Sequence, residues 1–442
     1  MLRKLREKTT TDQAGYRVTD TIFALSSGAP PAAVGVIRIS GPQAGAALAA
    51  LAGTIPEERR ASLRTLRDRA GAVLDEALVL WFPGPTTATG EDLAEFHVHG
   101  GRAVAEAVQR ALGYMEGLRA AEPGEFTRRA FVNGRIDLAE AEGLADLLEA
   151  ETEIQRASAM ALVGGKLSAQ ADAWREGVLQ LSALVEAALD FSDEDDVGEL
   201  PERFHKILQK LTGEIASWLE RPGAEALRQG YRVAIAGPPN AGKSTLFNSL
   251  TDSEAAITSP HAGTTRDVIE RSVVLSGIPF TFVDTAGLRE ESSDEIEVIG
   301  IGRAKEQLGK ADCVLWLGAE DEGPSGALEI EAQVDRGAHQ RKDGPDFRIS
   351  AVAGDGMEDL RQALIERARV AMPKPGDVAL NKRQRALVSE LHRNLFEAGG
   401  EKDLLLVAEA LRRARLALDG LVGRVSTEDM LDALFGRFCI GK

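Results

Sequence analysis

The run Gly237-Pro238-Pro239-Asn240-Ala241-Gly242-Lys243-Ser244 has the spacing of a phosphate-binding loop, Gly, four residues, then Gly-Lys-Ser. Glycines let backbone N–H groups close around phosphate oxygens. Lys243 supplies a point charge for the β- and γ-phosphates, and the Ser244 hydroxyl can ligate Mg²⁺. The bland alternative is a glycine-rich turn that binds nothing. It fits poorly, because the apolar run Tyr231 to Ala236 reads as a buried strand before the loop and Thr245 to Leu250 as a helix after it.

Further on, Thr281-Phe282-Val283-Asp284-Thr285-Ala286-Gly287 reads as a second strand ending in Asp-x-x-Gly. Asp284 there can hold a Mg²⁺ shell through water, and the Gly287 N–H can sense a γ-phosphate. Gly263-Thr264-Thr265-Arg266-Asp267 lies in a loop before a strand, where a threonine hydroxyl completes the metal site. Each motif alone is weak, since such dipeptides are common at turns and caps. In this order behind the loop they point to a switching GTPase. The base-reading element departs from the usual Asn-Lys-x-Asp: Ala332-Gln333-Val334-Asp335 keeps only the Asp. Ser350-Ala351-Val352 follows the strand Phe347 to Ile349 and suits a backbone clamp on a guanine carbonyl. The expectation is a weakened guanine preference, or else an Asp335 that is an ordinary surface carboxylate.

These motifs need a scaffold, and three textures run along the chain. Residues 1–20 are polar and read as a loose extension. From Thr21 to Gly134 short apolar runs (Ala33 to Ile39, Ala77 to Phe82, Phe96 to Val98) alternate with helical stretches such as Arg102 to Met115, an α+β unit. Residues 135–228 are rich in Ala, Leu and Glu at helical spacing. Residues 229–371 alternate strands and helices, as in a parallel α/β sheet with crossover helices. Residues 372–442 turn helical again, and the economical arrangement packs the two all-α helical flanks together with the nucleotide domain inserted between them.

With 442 residues and 44% apolar composition the chain has room for real cores in about three domains. A formal net charge of −17 argues against a general nucleic-acid coat, so any RNA contact is local. Two cysteines, Cys313 and Cys439, make a disulfide framework implausible and favour a reducing, cytoplasmic compartment. No apolar run is long enough to span a membrane. Cys313 sits in an apolar strand and reads as a small core residue. Cys439, near the end, fits prenylation poorly with Gly441 and Lys442 after it.

Taken together, Pro239 to Ser244, Ala262 to Asp267, Asp284-Thr285-Ala286-Gly287-Leu288-Arg289-Glu290 and the terminal Phe438-Cys439-Ile440-Gly441-Lys442 resemble the MnmE (TrmE) tRNA-modification GTPases. Thr89-Gly90-Glu91-Asp92, His99-Gly100-Gly101 and Pro123 to Gly134 extend the resemblance to nearly everything from Thr21 onward. It implies a folate-binding α+β domain that dimerises, a discontinuous all-α helical domain and an inserted Ras-like P-loop G domain. It also implies a GTP hydrolase that, with the flavoprotein MnmG in a heterotetramer, places an aminomethyl or carboxymethylaminomethyl group on C5 of the wobble uridine of certain tRNAs. The one-carbon unit comes from a tetrahydrofolate, either 5-formyl- or methylene-tetrahydrofolate.

By position, the resemblance assigns folate contacts to Arg38, Glu95, Arg135 (where the family more often has Lys) and Lys442. A pterin's donor edge suits a carboxylate and its anionic tail suits cations. GTP contacts fall on Asn240, Ala241, Gly242, Lys243, Ser244, Thr245, Ser259, Thr264, Thr265, Asp284, Thr285, Ala286, Gly287, Asp335, Ser350, Ala351 and Val352. Mg²⁺ would be held by Ser244 and Thr265, and K⁺ by Asn240, Ser259, His261 and Thr264 in a site that closes when two G domains of a homodimer meet. Glu297 is the water-positioning acid, with Arg289 and Cys439 as further catalytic candidates. The competing reading is a regulatory or ribosome-assembly GTPase that modifies nothing. The folate residues and the Cys439–Lys442 tail separate the two, since a pure switch needs neither.

Overall fold

The computed structural model describes residues 20–190, 200–252, 269–285, 306–337, 339–425, 428–438 and 440–441. Two compact units emerge: one takes in the chain up to Ala145 together with everything from Val422 on, the other runs Asp146–Leu421. Among the described residues no helix is long and apolar enough to cross a membrane.

In the first unit, β1 (Thr21–Leu25), β2 (Val34–Ser40), β3 (Ser62–Arg67), β4 (Val73–Phe82), β5 (Leu93–His99) and β6 (Leu118–Ala120) form one sheet in the order β3-β4-β5-β2-β1-β6. Alternate residues, among them Ile37, Ile39, Val79, Phe96 and Val98, point to one face and are buried under α1 (Ala44–Ala52) and α2 (Arg102–Gly113). The opposite face therefore carries the residues between them, Arg38 and Glu95 included. Two further helices, α3 (Glu125–Val132) and α4 (Leu138–Glu149), follow β6. The C-terminal helix α13 (Glu428–Phe435) packs on α3, where the Phe435 ring lies tilted at 6.1 Å from Phe131 and 6.2 Å from Phe438.

The second unit begins with α5 (Glu153–Val163), α6 (Lys166–Asp190), α7 (Glu202–Leu219) and α8 (Ala224–Gln229), and ends with α11 (Lys382–Gly400) and α12 (Leu404–Leu421). Helix α6 buries Leu167, Ala171, Trp174, Val178, Leu181 and Val185, a three-to-four spacing that makes one apolar stripe. That stripe meets α7 and α12, and α7 meets α11, so the two helical flanks do pack together. Trp174 and Trp218 meet edge to face at 5.4 Å within this bundle.

Between the flanks lies a second sheet, ordered β12-β11-β10-β7-β9-β8. It comprises β7 (Tyr231–Ala236), β8 (Ile269–Leu275), β9 (Ile278–Asp284), β10 (Cys313–Trp316), β11 (Leu328–Glu331) and β12 (Phe347–Arg348). All neighbours are parallel except the β8–β9 pair. Val233, Ile235, Phe280 and Phe282 pack against α9 (Lys243–Thr251) and α10 (Met357–Ala371). Cys313 belongs to this core, and burial pushes its thiol up to about 11.

One expectation changes here. The links β10–β11, residues 317–327, and β11–β12, residues 332–346, contain no helix among the described residues, although parallel neighbours are usually joined by one. The turn-rich Gly318 to Gly326 is too short and too interrupted by Gly and Pro to wind one.

Candidate functional site

Strand β7 delivers the chain to the loop 237–242, and α9 starts at once beyond it. Gly242 caps α9 in the left-handed region, φ +95°, which a side chain would resist. A helix start leaves its first N–H groups without intrahelical partners, and this one begins directly at the loop. A cavity of about 1010 Å³ opens there, lined by loop residues with Thr285, Trp316, Gln333 and Arg336. Lys243 Nζ curls back to donate to the Pro238 carbonyl at 2.7 Å. Ser244 Oγ donates to Asp284 Oδ2 at 2.8 Å. Asp284 is 1% exposed at the end of β9, and the next residue ties the two strand ends together, Thr285 Oγ1 donating to the Ile235 carbonyl at 2.8 Å. A hydroxyl beside a buried carboxylate is the hard oxygen set that suits Mg²⁺.

The residues expected to read the base converge on the same loop. Asp335 Oδ1 accepts from Ser350 Oγ at 2.6 Å, and that hydroxyl accepts from the Ala353 N–H at 3.0 Å. The Ser350 bond leads in holding the Asp335 carboxyl below its usual range, so it is an anion at neutral pH. Asp335, Ala351 and Val352 line a small hollow with Gly242 and Thr245. Gln333, given no role from sequence, reaches across: its Nε2 donates to the Asn240 carbonyl at 3.2 Å. The available signal was its place between Ala332 and Asp335, where the usual element carries Lys.

Ser259, His261, Thr264, Thr265, Ala286, Gly287, Arg289 and Glu297 lie outside the described residues, as do Cys439 and Lys442.

In the first unit, Arg38 and Glu95 stand directly opposite each other on β2 and β5. Arg38 Nε and Nη2 donate to Glu95 Oε1 at 3.0 and 2.9 Å, and His97 Nε2 meets Oε2 at 3.0 Å. The His97 ring, then Arg38, holds the Glu95 carboxyl below its usual range against the opposing effect of burial. Oε1 accepts both Arg38 donors, while Oε2 has His97 alone and keeps a lone pair with which a ligand's donor edge can be met. Arg135 Nε donates to the Thr87 carbonyl at 3.0 Å and Asn133 Nδ2 to the Thr89 carbonyl at 2.7 Å.

The Thr87–Glu91 loop is held from its other side too. Ser40 Oγ lies 2.7 Å from both Thr89 Oγ1 and Glu91 Oε2, and Arg129 bridges Glu91, Glu125 and Asp20 at 3.1, 3.0 and 2.9 Å. Arg119 adds bonds to Glu125 and Asp20 at 2.5 and 2.6 Å. The chain's last described residues dock on the same unit: Ile440 bridges to Pro123, and Gly441 lies against the Leu25 carbonyl. Leu25 pairs with Ile37, the neighbour of Arg38.

Residues 21–135 match the family described as GTP-binding protein TrmE N-terminus, and residues 138–439 match the MnmE helical domain. The tRNA modification GTPase MnmE of Erythrobacter litoralis is 62% identical over 423 residues, covering 96% of this chain and 100% of the relative. That of Novosphingobium aromaticivorans is 60% identical over 437 residues, again covering 96% and 100%. The solved G domain of the T. maritima FeoB iron transporter is 25% identical, covers 31% of this chain and 98% of that one, and superposes with a TM-score of 0.22. With profiles and full-length relatives in agreement, this chain belongs to the MnmE family of tRNA modification GTPases.

Proposed function

We propose that this protein is a potassium-dependent GTPase that, with a flavoprotein partner of the MnmG kind, installs an aminomethyl or carboxymethylaminomethyl group at C5 of the wobble uridine of certain tRNAs in the cytoplasm. A tetrahydrofolate gives the one-carbon unit, and GTP hydrolysis drives pairing of G domains in a homodimer. The observation that carries this reading is the presence, in one chain, of the Ser244–Asp284 pair at the phosphate loop, the Arg38–Glu95 cluster and a C-terminal segment docked at Pro123. The working parts are an α+β folate domain (21–134), a helical domain (135–228 and 372–442) and a G domain (229–371).

Lys243 exchanges the Pro238 carbonyl for phosphate oxygens, and the N–H groups at the start of α9 close around them. Ser244 and Thr265 would hold Mg²⁺ with Asp284 behind them, and Asn240, Ser259, His261 and Thr264 would hold K⁺. Bound, these cations supply positive charge where it builds up on the phosphates. Glu297 orients the attacking water. Asp335 reads the guanine N1–H and 2-amino group, and Ser350, Ala351 and Val352 close over the carbonyl. In the first unit, Glu95 meets the pterin's donor edge while Arg38, Arg135 and Lys442 face its anionic tail. Cys439 and Arg289 take part in the chemistry of their respective sites.

The test is mass spectrometry of wobble uridines from cells lacking this protein. Loss of the C5 group is expected, restored by the parent gene but not by Lys243→Ala. Retained modification overturns the assignment and favours a switch that modifies nothing.

A further inference from the structure

We propose that Gln333 is a positioning residue that joins the base-reading segment to the phosphate-binding loop, so that the two halves of the nucleotide site are set by one carboxamide. The assignment rests on the reading of this cavity as a nucleotide site and deepens it.

Gln333 and Asn240 are both non-glycine residues in the left-handed region, at φ +60° and +63°. That conformation is disfavoured for side-chain-bearing residues and persists where the surroundings enforce it. The two are joined directly, the Gln333 amide donating to the Asn240 carbonyl at 3.2 Å. Gly242 makes the approach possible, since a Cβ there would stand 3.0 Å from Gln333 Nε2 and 3.4 Å from its Cγ.

A trans peptide is planar, so holding the Asn240 carbonyl also aims the Ala241 N–H, which points the opposite way. That N–H reaches the Pro238 carbonyl at 3.4 Å, the same oxygen that receives Lys243 Nζ at 2.7 Å. Gln333, the Asn240–Ala241 peptide, Pro238 and Lys243 thus form one chain of contacts ending on the phosphate-binding lysine. From the other side, Gln333 is two residues from Asp335 and its carbonyl accepts the Arg336 N–H at 2.9 Å. Gln333 lines both the phosphate cavity and the base hollow. Ala332 offers only a methyl, so the segment's carboxamide serves the loop and not the purine edge.

A role confined to the base would leave a ligand without a base untouched. The experiment displaces a fluorescent GDP from the full-length protein with GDP or with inorganic tripolyphosphate, for the parent, Gln333→Met and Gln333→Ala. Methionine keeps the reach over Gly242 and the neutral charge but lacks a donor. The expected result is about a fivefold loss of affinity for both ligands in Gln333→Met, the worth of one neutral hydrogen bond, and a larger loss in Gln333→Ala. Unchanged melting temperatures would accompany it. Loss for GDP with unchanged tripolyphosphate affinity, or no loss at all, overturns the assignment while leaving the nucleotide reading standing. A parent protein that binds neither ligand overturns both.

Discussion

Gly441→Ala should uncouple the folate site from the GTPase. Gly441 sits at φ +96°, and a Cβ there would lie 2.2 Å from the Leu25 carbonyl oxygen and 2.9 Å from its carbon. These are backbone atoms of β1, paired to β2, so they cannot step aside. The tail must leave. Its departure relieves a left-handed alanine worth about 1–2 kcal/mol and forfeits the Pro123–Ile440 bridge, about 1 kcal/mol per hydrogen bond. Little else goes with it, since Ile440 is 59% exposed while Phe435 and Phe438 stay buried against Phe131. Since the strain is no longer felt once the tail has left, the net cost is the worth of the forfeited bonding, about 1–2 kcal/mol of tail docking, with the unit still folded.

If Lys442 serves the folate from a docked tail, affinity for 5-formyltetrahydrofolate measured by calorimetry should fall about tenfold. GTP turnover measured on the same sample should stay at the parent value, and so should near-UV circular dichroism. Unchanged folate affinity would refute the placement of the tail at the pterin site. A matching fall in GTP turnover would refute the independence of the two sites.

Asp335→Asn should shift preference from GDP towards xanthosine diphosphate by at least about tenfold in the affinity ratio, because an amide donates where xanthine now accepts; an unaltered ratio in competition binding would return Asp335 to the ordinary surface. Glu297→Ala should bind nucleotide normally and lose the turnover stimulated by potassium over sodium, and persistence of that stimulation would move the water-positioning role elsewhere. Acid should attack the first unit through its ion network. Burial alone would raise Asp20 and Glu125, but Arg119 and Arg129 override it, and His97 leads the lowering at Glu95. Carboxyls depressed in the folded state stabilise it above their unfolded values, near pH 4, and that stability is lost as pH falls through the lower folded ones. Arg129→Met should move the acid midpoint of near-UV dichroism upward, and an unmoved midpoint would show that the network carries no linkage.

The phosphate loop was legible because its glycines, lysine and serine specify their own backbone geometry locally, and the strand and helix around it agree with them. Asp335 and Ser350 were legible by order along the chain. Gln333 was not: its role depends on a left-handed backbone and on an approach across 93 positions of sequence. Strand β3, Ser-Leu-Arg-Thr-Leu-Arg, escaped for another reason. It is an edge strand with only Leu66 buried, so it shows no apolar run to read. The helical flanks were legible as helices, and α6 meets α12 while α7 meets α11. Nothing in their periodicity marked Val422 as the point where the chain passes to the first unit.

The missing crossover helices explain why the base side is built as it is. A helix would have covered the sheet with an apolar stripe, whereas the loops 317–327 and 332–346 are tied down by directional bonds. Lys342, with 1% of its side chain exposed, pairs with Glu329 and donates to the Trp316 carbonyl at 2.9 Å. Glu320 accepts from the Asp343 and Gly344 N–H groups, both at 2.7 Å. Glu331 takes His339 at 2.8 Å and Arg348 at 3.0 Å. Trp316 lies so close to Gly318 and Gly323 that a Cβ on either would fall within 2.6 Å of its ring. Buried ion pairs return little net stability once desolvation is counted, but they tolerate few alternative arrangements. A segment held this way is placed by its partners and not by its own propensity, so Asp335 inherits its position from bonds made on both sides of it. The phosphate side, by contrast, takes its shape from glycine backbone and a helix start, which is why one half of the site announces itself in sequence and the other appears only in three dimensions.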